Sequence, residues 1–263
     1  VSRAEMSRRY PTLKLAPNET AIFDPEAGVL KPERAIAAHL AVAERAGAEM
    51  RFGVTMRDWA ATDSGIEVCL TSGERVGTKT LVLALGPWFE RVLRELGVEL
   101  RVQRNVQVWF APRTSAYHAS RFPAFLVDRS ELPAPLYGFP DFGEGVKAAF
   151  HGFGDLTNPD ELDREIDEQR DIAPLVRAME EWMPGSTGAV IDTKACMYSL
   201  TPDSHFVVDR HPQHPGLVVC GGFSGHGFKF ASVIGEVAAD LALDGATRHA
   251  IEILSLRRFA SGK

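Results

Sequence analysis

The run GGFSGHGFKF, Gly221 to Phe230, places four glycines, a histidine and a lysine directly after the apolar Leu217-Val-Val-Cys220. Glycines let backbone amides come close to a ligand, and the first N–H groups of a helix attract anions. By itself the pattern reads equally well as a tight turn. Lys229 would stand in the first turn of the following helix, where a cation opposes the helix dipole by a few tenths of a kcal/mol up to about 1. A nearby anion would repair that mismatch, and so would a side chain that reaches into solvent.

A second cation, Lys147, lies in Tyr137-Gly-Phe-Pro-Asp-Phe-Gly-Glu-Gly-Val-Lys147-Ala-Ala-Phe-His151. On a strand, Val146, Ala148 and Phe150 face one way while Lys147, Ala149 and His151 face the other, toward a site or toward water. Cys196, in Lys194-Ala-Cys-Met-Tyr198, reads on its own as a small buried hydrophobe. His205, His211 and His214 flank a Pro-rich turn without an acidic or Cys partner at ligand spacing, so no metal site is expected. Gly222-Phe-Ser224-Gly225 lacks the G-x-S-x-G pattern of a nucleophile elbow.

The elements that must carry these residues alternate between helix and strand. Pro32 opens a helix that Gly47 closes, with Ala35, Ile36, Leu40 and Ala43 on one face. Strands are expected at Glu49 to Phe52, Val54 to Ala61 and Ile66 to Leu70, the last two joined by Asp63-Ser-Gly65. Thr80 to Leu85 is a continuous apolar run, as in a strand buried on both faces of a parallel sheet. A short helix over Phe89 to Leu96 leads to a strand over Glu99 to Phe110. Pro-rich turns then alternate with the Gly145 to Phe150 strand and with helices over Pro159 to Arg170 and Ile172 to Trp182. Strands at Cys196 to Leu200, Phe206 to Val208 and Leu217 to Cys220 precede the glycine-rich loop and a helix over Phe230 to Leu243. The fold class expected is mixed α/β.

Composition narrows the function. The chain has 263 residues, 45% hydrophobic and 24% charged, with a formal net charge of −6. That balance, without a Lys/Arg-rich run, argues against nucleic acid and membrane surfaces as partners. Three widely spaced cysteines do not make a disulfide framework and fit a reducing cytoplasm.

Taken together, Gly222 to Phe230, Cys196-Met-Tyr-Ser-Leu-Thr-Pro-Asp203 and Tyr137 to His151 resemble the monomeric sarcosine oxidase family of D-amino-acid-oxidase-like flavoproteins. The likeness runs from about Phe23 to Leu256 and includes Leu85-Gly-Pro-Trp88. It implies a Rossmann-like FAD-binding domain, from 32–94 and 198–263, and an antiparallel-sheet substrate domain, from 1–31 and 95–197. Cys196 then matches a cysteine bonded covalently to the flavin of FAD, and Lys147 a lysine that promotes reaction with dioxygen. Lys229 matches a partner of the substrate carboxylate, and Tyr137, His151 and Tyr198 line the amine pocket. His226, with the backbone around Gly225, Gly227 and Phe228, would lie at the pyrimidine edge of the flavin.

The resemblance implies a monomer that oxidises a secondary amine, such as sarcosine or another N-methyl amino acid, and makes hydrogen peroxide. One departure qualifies it: the G-x-G-x-x-G turn that holds the FAD pyrophosphate in this family has no match here. The chain is therefore expected to be part of a longer protein, with a weak hold on FAD when alone. The alternatives are a flavin-free, non-catalytic remnant and an oxidase of cyclic or sugar-linked amines.

Overall fold

A computed structural model describes residues 1–259. The chain divides into two compact units, one of Val1–Val29 and Val102–Tyr198, the other of Leu30–Arg101 and the described residues from Ser199 on. Among the described residues no helix is long and apolar enough to cross a membrane.

The second unit holds helix α2 (Pro32–Arg45), the antiparallel strands β1 (Met56–Thr62), β2 (Gly65–Leu70) and β3 (Arg75–Thr78), and strand β4 (Leu81–Leu83). A 3₁₀ turn at Gly86–Phe89 runs into α3 (Glu90–Glu95), and the chain returns through β10 (Val207–Arg210), β11 (Leu217–Gly221) and α5 (Ala231–Leu243). Gly65 is required at its hairpin, because a Cβ there would stand 2.2 Å from the Thr78 carbonyl oxygen.

Strands β10, β11 and β4 form a separate sheet in that order, with β11 parallel to β4. Period two divides β11 between two cores: Leu217 and Val219 join Leu83, Phe89 and Leu93, while Val218 and Cys220 join Val237 and Leu241 of α5. Burial on both faces thus belongs to β11. The Thr80 to Leu85 run was expected to have it, but β4 is a three-residue edge strand with Val82 41% exposed.

Two further expectations change in this unit. Glu49 to Phe52 is not a strand: Phe52 is 75% exposed, and Arg51 turns outward to pair with Glu74. Helix α2 forms as expected, yet none of its residues is buried and Ile36 remains 49% exposed.

The first unit contains helix α1 (Arg3–Arg9) and a five-stranded sheet ordered β6-β7-β8-β5-β9. Its strands are β5 (Arg101–Phe110), β6 (Phe125–Val127), β7 (Leu136–Phe139), β8 (Val146–Phe150) and β9 (Val190–Leu200). The rear face carries Val108, Phe110, Leu136, Val146, Ala148 and Phe150, packed against Leu175, Met179 and Trp182 of α4 (Ala173–Trp182). Each large apolar side chain buried there contributes about 1.5–3 kcal/mol.

The helix expected over Pro159 to Arg170 is absent. Only a 3₁₀ turn at Pro159–Glu161 and a π-turn at Glu168–Ile172 form. The reason is Arg104 of β5, whose guanidinium takes the carbonyls of Asp163 and Glu165 at 2.8 Å each and the Asp171 carboxylate at 2.8 and 3.0 Å. Carbonyls bonded to a buried cation are not available to a helix ladder.

Candidate active site

Strand alternation sends the other half of β5, β7, β8 and β9 to the front face of the five-stranded sheet. Lys147 lies opposite Trp109 on β5 and opposite Phe139 on β7, in direct register with both. Its Nζ stands 4.7 Å from the Trp109 ring centre and 5.6 Å from that of Phe139. Two aromatic faces hold the ammonium in place, each by about 0.5–2 kcal/mol according to desolvation. Lys194 of β9 approaches the same Trp109 ring at 5.6 Å.

Cys196 of β9 is a free, half-buried thiol, whereas Cys69 and Cys220 are buried. Burial pushes the Cys196 thiol up, and the nearby Lys147 charge partly offsets this. Gln107 of β5 approaches both Cys196 Sγ, at 3.7 Å, and Tyr137 Oη, at 3.5 Å. Tyr198 is buried, with its hydroxyl 3.2 Å from His151 Nδ1. His151 follows the last residue of β8 and keeps the same side as Lys147, so the alternation read from the sequence holds. Burial raises both tyrosine hydroxyls, and the neighbouring Tyr137 hydroxyl raises Tyr198 further, so both stay neutral phenols at physiological pH.

The structure therefore brings together Tyr137, Lys147, His151, Cys196 and Tyr198 on one surface. Gln107, Trp109, Phe139 and Lys194 share that surface and were not singled out from sequence. The signal was present for two of them, since Gln107 and Trp109 alternate with Val106, Val108 and Phe110.

The glycine-rich loop belongs to the second unit and has its own geometry. Gly222, Ser224 and Gly225 take positive φ values of 63°, 47° and 76°. Ser224 is the unusual one, and its buried hydroxyl justifies the conformation by accepting from the Thr201 amide and donating to the Gly222 carbonyl. The Ser224 amide donates to the Ser199 carbonyl at the end of β9, the His226 amide closes a turn onto Phe223, and His226 Nδ1 lies 2.9 Å from the Ser224 carbonyl oxygen.

Lys229 departs from its expected place. It lies in a 3₁₀ turn, Phe228–Phe230, ahead of α5 and outside that helix's first turn. Its exposed ammonium donates to the His226 carbonyl oxygen at 3.2 Å and lies 5.3 Å from the Phe230 ring centre. A local carbonyl thus supplies part of the negative charge that the position called for.

Comparison with known proteins finds relatives in sequence and in fold. A family described as FAD dependent oxidoreductase matches residues 1–241. Monomeric sarcosine oxidase of Streptomyces avermitilis is 38% identical over 98% of this chain and 68% of its own length. N-methyl-L-tryptophan oxidase of Salmonella dublin is 32% identical over 96% of this chain and 67% of its own. The chain thus spans about two thirds of such relatives. Among solved structures, L-proline dehydrogenase from P. horikoshii superposes with a TM-score of 0.84 at 21% identity, over 99% of this chain and 68% of that one.

Proposed function

The chain belongs to the FAD dependent oxidoreductases, and from that premise we propose that it carries the catalytic face of an oxidase acting on sarcosine or another N-methyl amino acid. The observation that carries this reading is the front face of the five-stranded sheet. It offers a half-buried free thiol and an aromatic-clamped ammonium on one surface, which suits a planar, electron-accepting ring. When bound, FAD would supply the redox chemistry, as a hydride acceptor for the carbon beside the amine nitrogen and a two-electron reductant for dioxygen. The products are an imine, which water hydrolyses, and hydrogen peroxide.

This chain's residues supply the rest. Where FAD is firmly seated by a pyrophosphate-binding turn as well, Cys196 would hold it covalently. The fixed charge of Lys147 would stabilise negative charge as it develops on dioxygen, at little reorganisation cost because the ammonium is already clamped. Tyr137 and Tyr198 give neutral aromatic walls, and His151 completes them. A cation next to neutral walls favours an uncharged amine, the form able to give up a hydride. Lys229 would pair with the substrate carboxylate. His226, Phe228 and the Gly225 and Gly227 backbone would meet the flavin's pyrimidine edge. For these loop residues the support is the motif they share with the family and the exposed position of Lys229.

A second reading, a chain with the catalytic face but little hold on FAD, is favoured by the second unit. There β4 is the last strand of its sheet and α2 has no buried residue.

The test supplies the chain with saturating FAD and offers sarcosine, N-methyl-L-tryptophan and L-proline while recording flavin bleaching without oxygen and peroxide with it. Bleaching by an N-methyl amino acid is expected. Lys147→Met should slow reoxidation by dioxygen about 100-fold, on the scale of losing one preorganised charge-stabilising group, and leave bleaching nearly unchanged. Bound flavin that no secondary amine bleaches would overturn the reading.

A further inference from the structure

Gln107 is neutral and half-buried, and no motif contains it, yet it occupies the centre of the front face. Its Nε2 lies 3.5 Å from Tyr137 Oη on β7 and 3.7 Å from Cys196 Sγ on β9. A carboxamide nitrogen has two hydrogens and accepts nothing, so in both contacts Gln107 is the donor. Two donors meet two acceptors, one on either side of β5.

We propose that Gln107 is a positioning residue for the reaction face, with one N–H orienting the Cys196 sulfur and the other fixing the Tyr137 hydroxyl. The inference rests on the reading of this face as the flavin side, and it adds a residue that the reading did not contain. Tyr137 Oη accepts from Gln107, and the Tyr137 ring stands edge-on to that of His151 with centres 6.2 Å apart. Tyr198 in turn stands 3.2 Å from His151 Nδ1. One amide thereby ties β5 to both β7 and β9 on the front face.

At the sulfur the consequence can be measured. The groups facing Cys196 are Lys147 from β8, Tyr137 from β7 and Gln107 from β5, with Lys194 and Tyr198 two residues away on its own strand. Burial opposes ionisation of the thiol, and Lys147 and an N–H donor both favour it. A hydrogen bond to a charged acceptor is stronger than one to a neutral acceptor, so Gln107 stabilises the thiolate over the thiol.

The experiment follows alkylation of the three thiols by iodoacetamide in the full chain before FAD is added, resolved by peptide mass spectrometry across about pH 7 to 11. Gln107→Leu removes the donor and should raise the Cys196 midpoint by about one unit, which is about tenfold slower alkylation near neutral pH. Gln107→Glu should raise it further, because a carboxylate opposes the thiolate. Cys69 and Cys220 are the internal references, with burial pushing the Cys220 thiol up to about 11.

Leucine and glutamate profiles that superimpose on the unaltered chain overturn the proposal. If the leucine variant loosens the fold, all three thiols speed up together, and the glutamate variant, close to isosteric with the native residue, decides. A Cys196 midpoint unmoved by that adjacent carboxylate overturns the contact. None of these readouts needs bound flavin or turnover, so the oxidase reading and the role of Gln107 fail separately.

Discussion

Arg104→Leu tests whether the buried ion pair holds the strand that carries Gln107 and Trp109. The Arg104 and Asp171 side chains are 7% and 6% exposed and meet through two hydrogen bonds. Removing one partner of a buried pair costs about 3–5 kcal/mol, mainly because the other charge is left uncompensated. Here Asp171 keeps bonds from Arg170 and from the Asp167 amide, and the freed carbonyls of exposed Asp163 and Glu165 can turn to water. The loss therefore falls at the lower end, about 3 kcal/mol.

With a urea slope of about 2 kcal/mol/M, the unfolding midpoint should fall by about 1.5 M. Arg104→Leu combined with Asp171→Leu should recover most of it, since an apolar pair carries no stranded charge. Acid supplies the sign. Burial alone would raise the Asp171 carboxyl, but its bonds from Arg104 and Arg170 outweigh burial and hold it well below the carboxylate range. A depressed carboxyl contributes its stability above the unfolded value of about 3.9 and loses it as pH falls below that. The gap between the native chain and Arg104→Leu should therefore narrow on acidification. Urea titrations showing a loss under about 1 kcal/mol for the single variant, or a double variant less stable than the single, would refute the reasoning.

Lys229→Met should raise KM about tenfold for an N-methyl amino acid and leave turnover of the carboxylate-free dimethylamine unchanged, a modest charge-assisted effect because the ammonium is exposed. An equal change for both amines would remove Lys229 from substrate binding. The chain supplied with FAD should lose it on gel filtration, and the acid-precipitated protein should be colourless. A pellet that stays yellow would show a firm, covalent hold.

Much of the site was legible because period two in a strand is a strict rule. Val146, Ala148 and Phe150 pack the rear core, while Lys147 and His151 share the front, as their spacing requires. Cys196 was legible only through the family motif, since a cysteine in a strand carries no signal of its own. Gln107 was missed because its importance comes from β7 and β9, which sequence places far away. The 159–170 segment was misread because local helix propensity competes there with Arg104, about sixty residues earlier. The placement of Lys229 failed by a smaller margin: the helix start slipped to Ala231 when the preceding turn tightened to 3₁₀.

The clamp around Lys147 also has a consequence for how this surface changes over evolutionary time. Position 147 stands in register with 109 on one side and 139 on the other, so a change of size or charge at 147 alters the surroundings of both rings, and a change in either ring alters those of 147. An arginine at 147 would keep the charge but stack its planar head on rings that now flank a compact ammonium. These three positions should therefore drift as one inherited unit across diverged sequences, with replacements at 147 accompanied by compensating changes in ring size at 109 or 139.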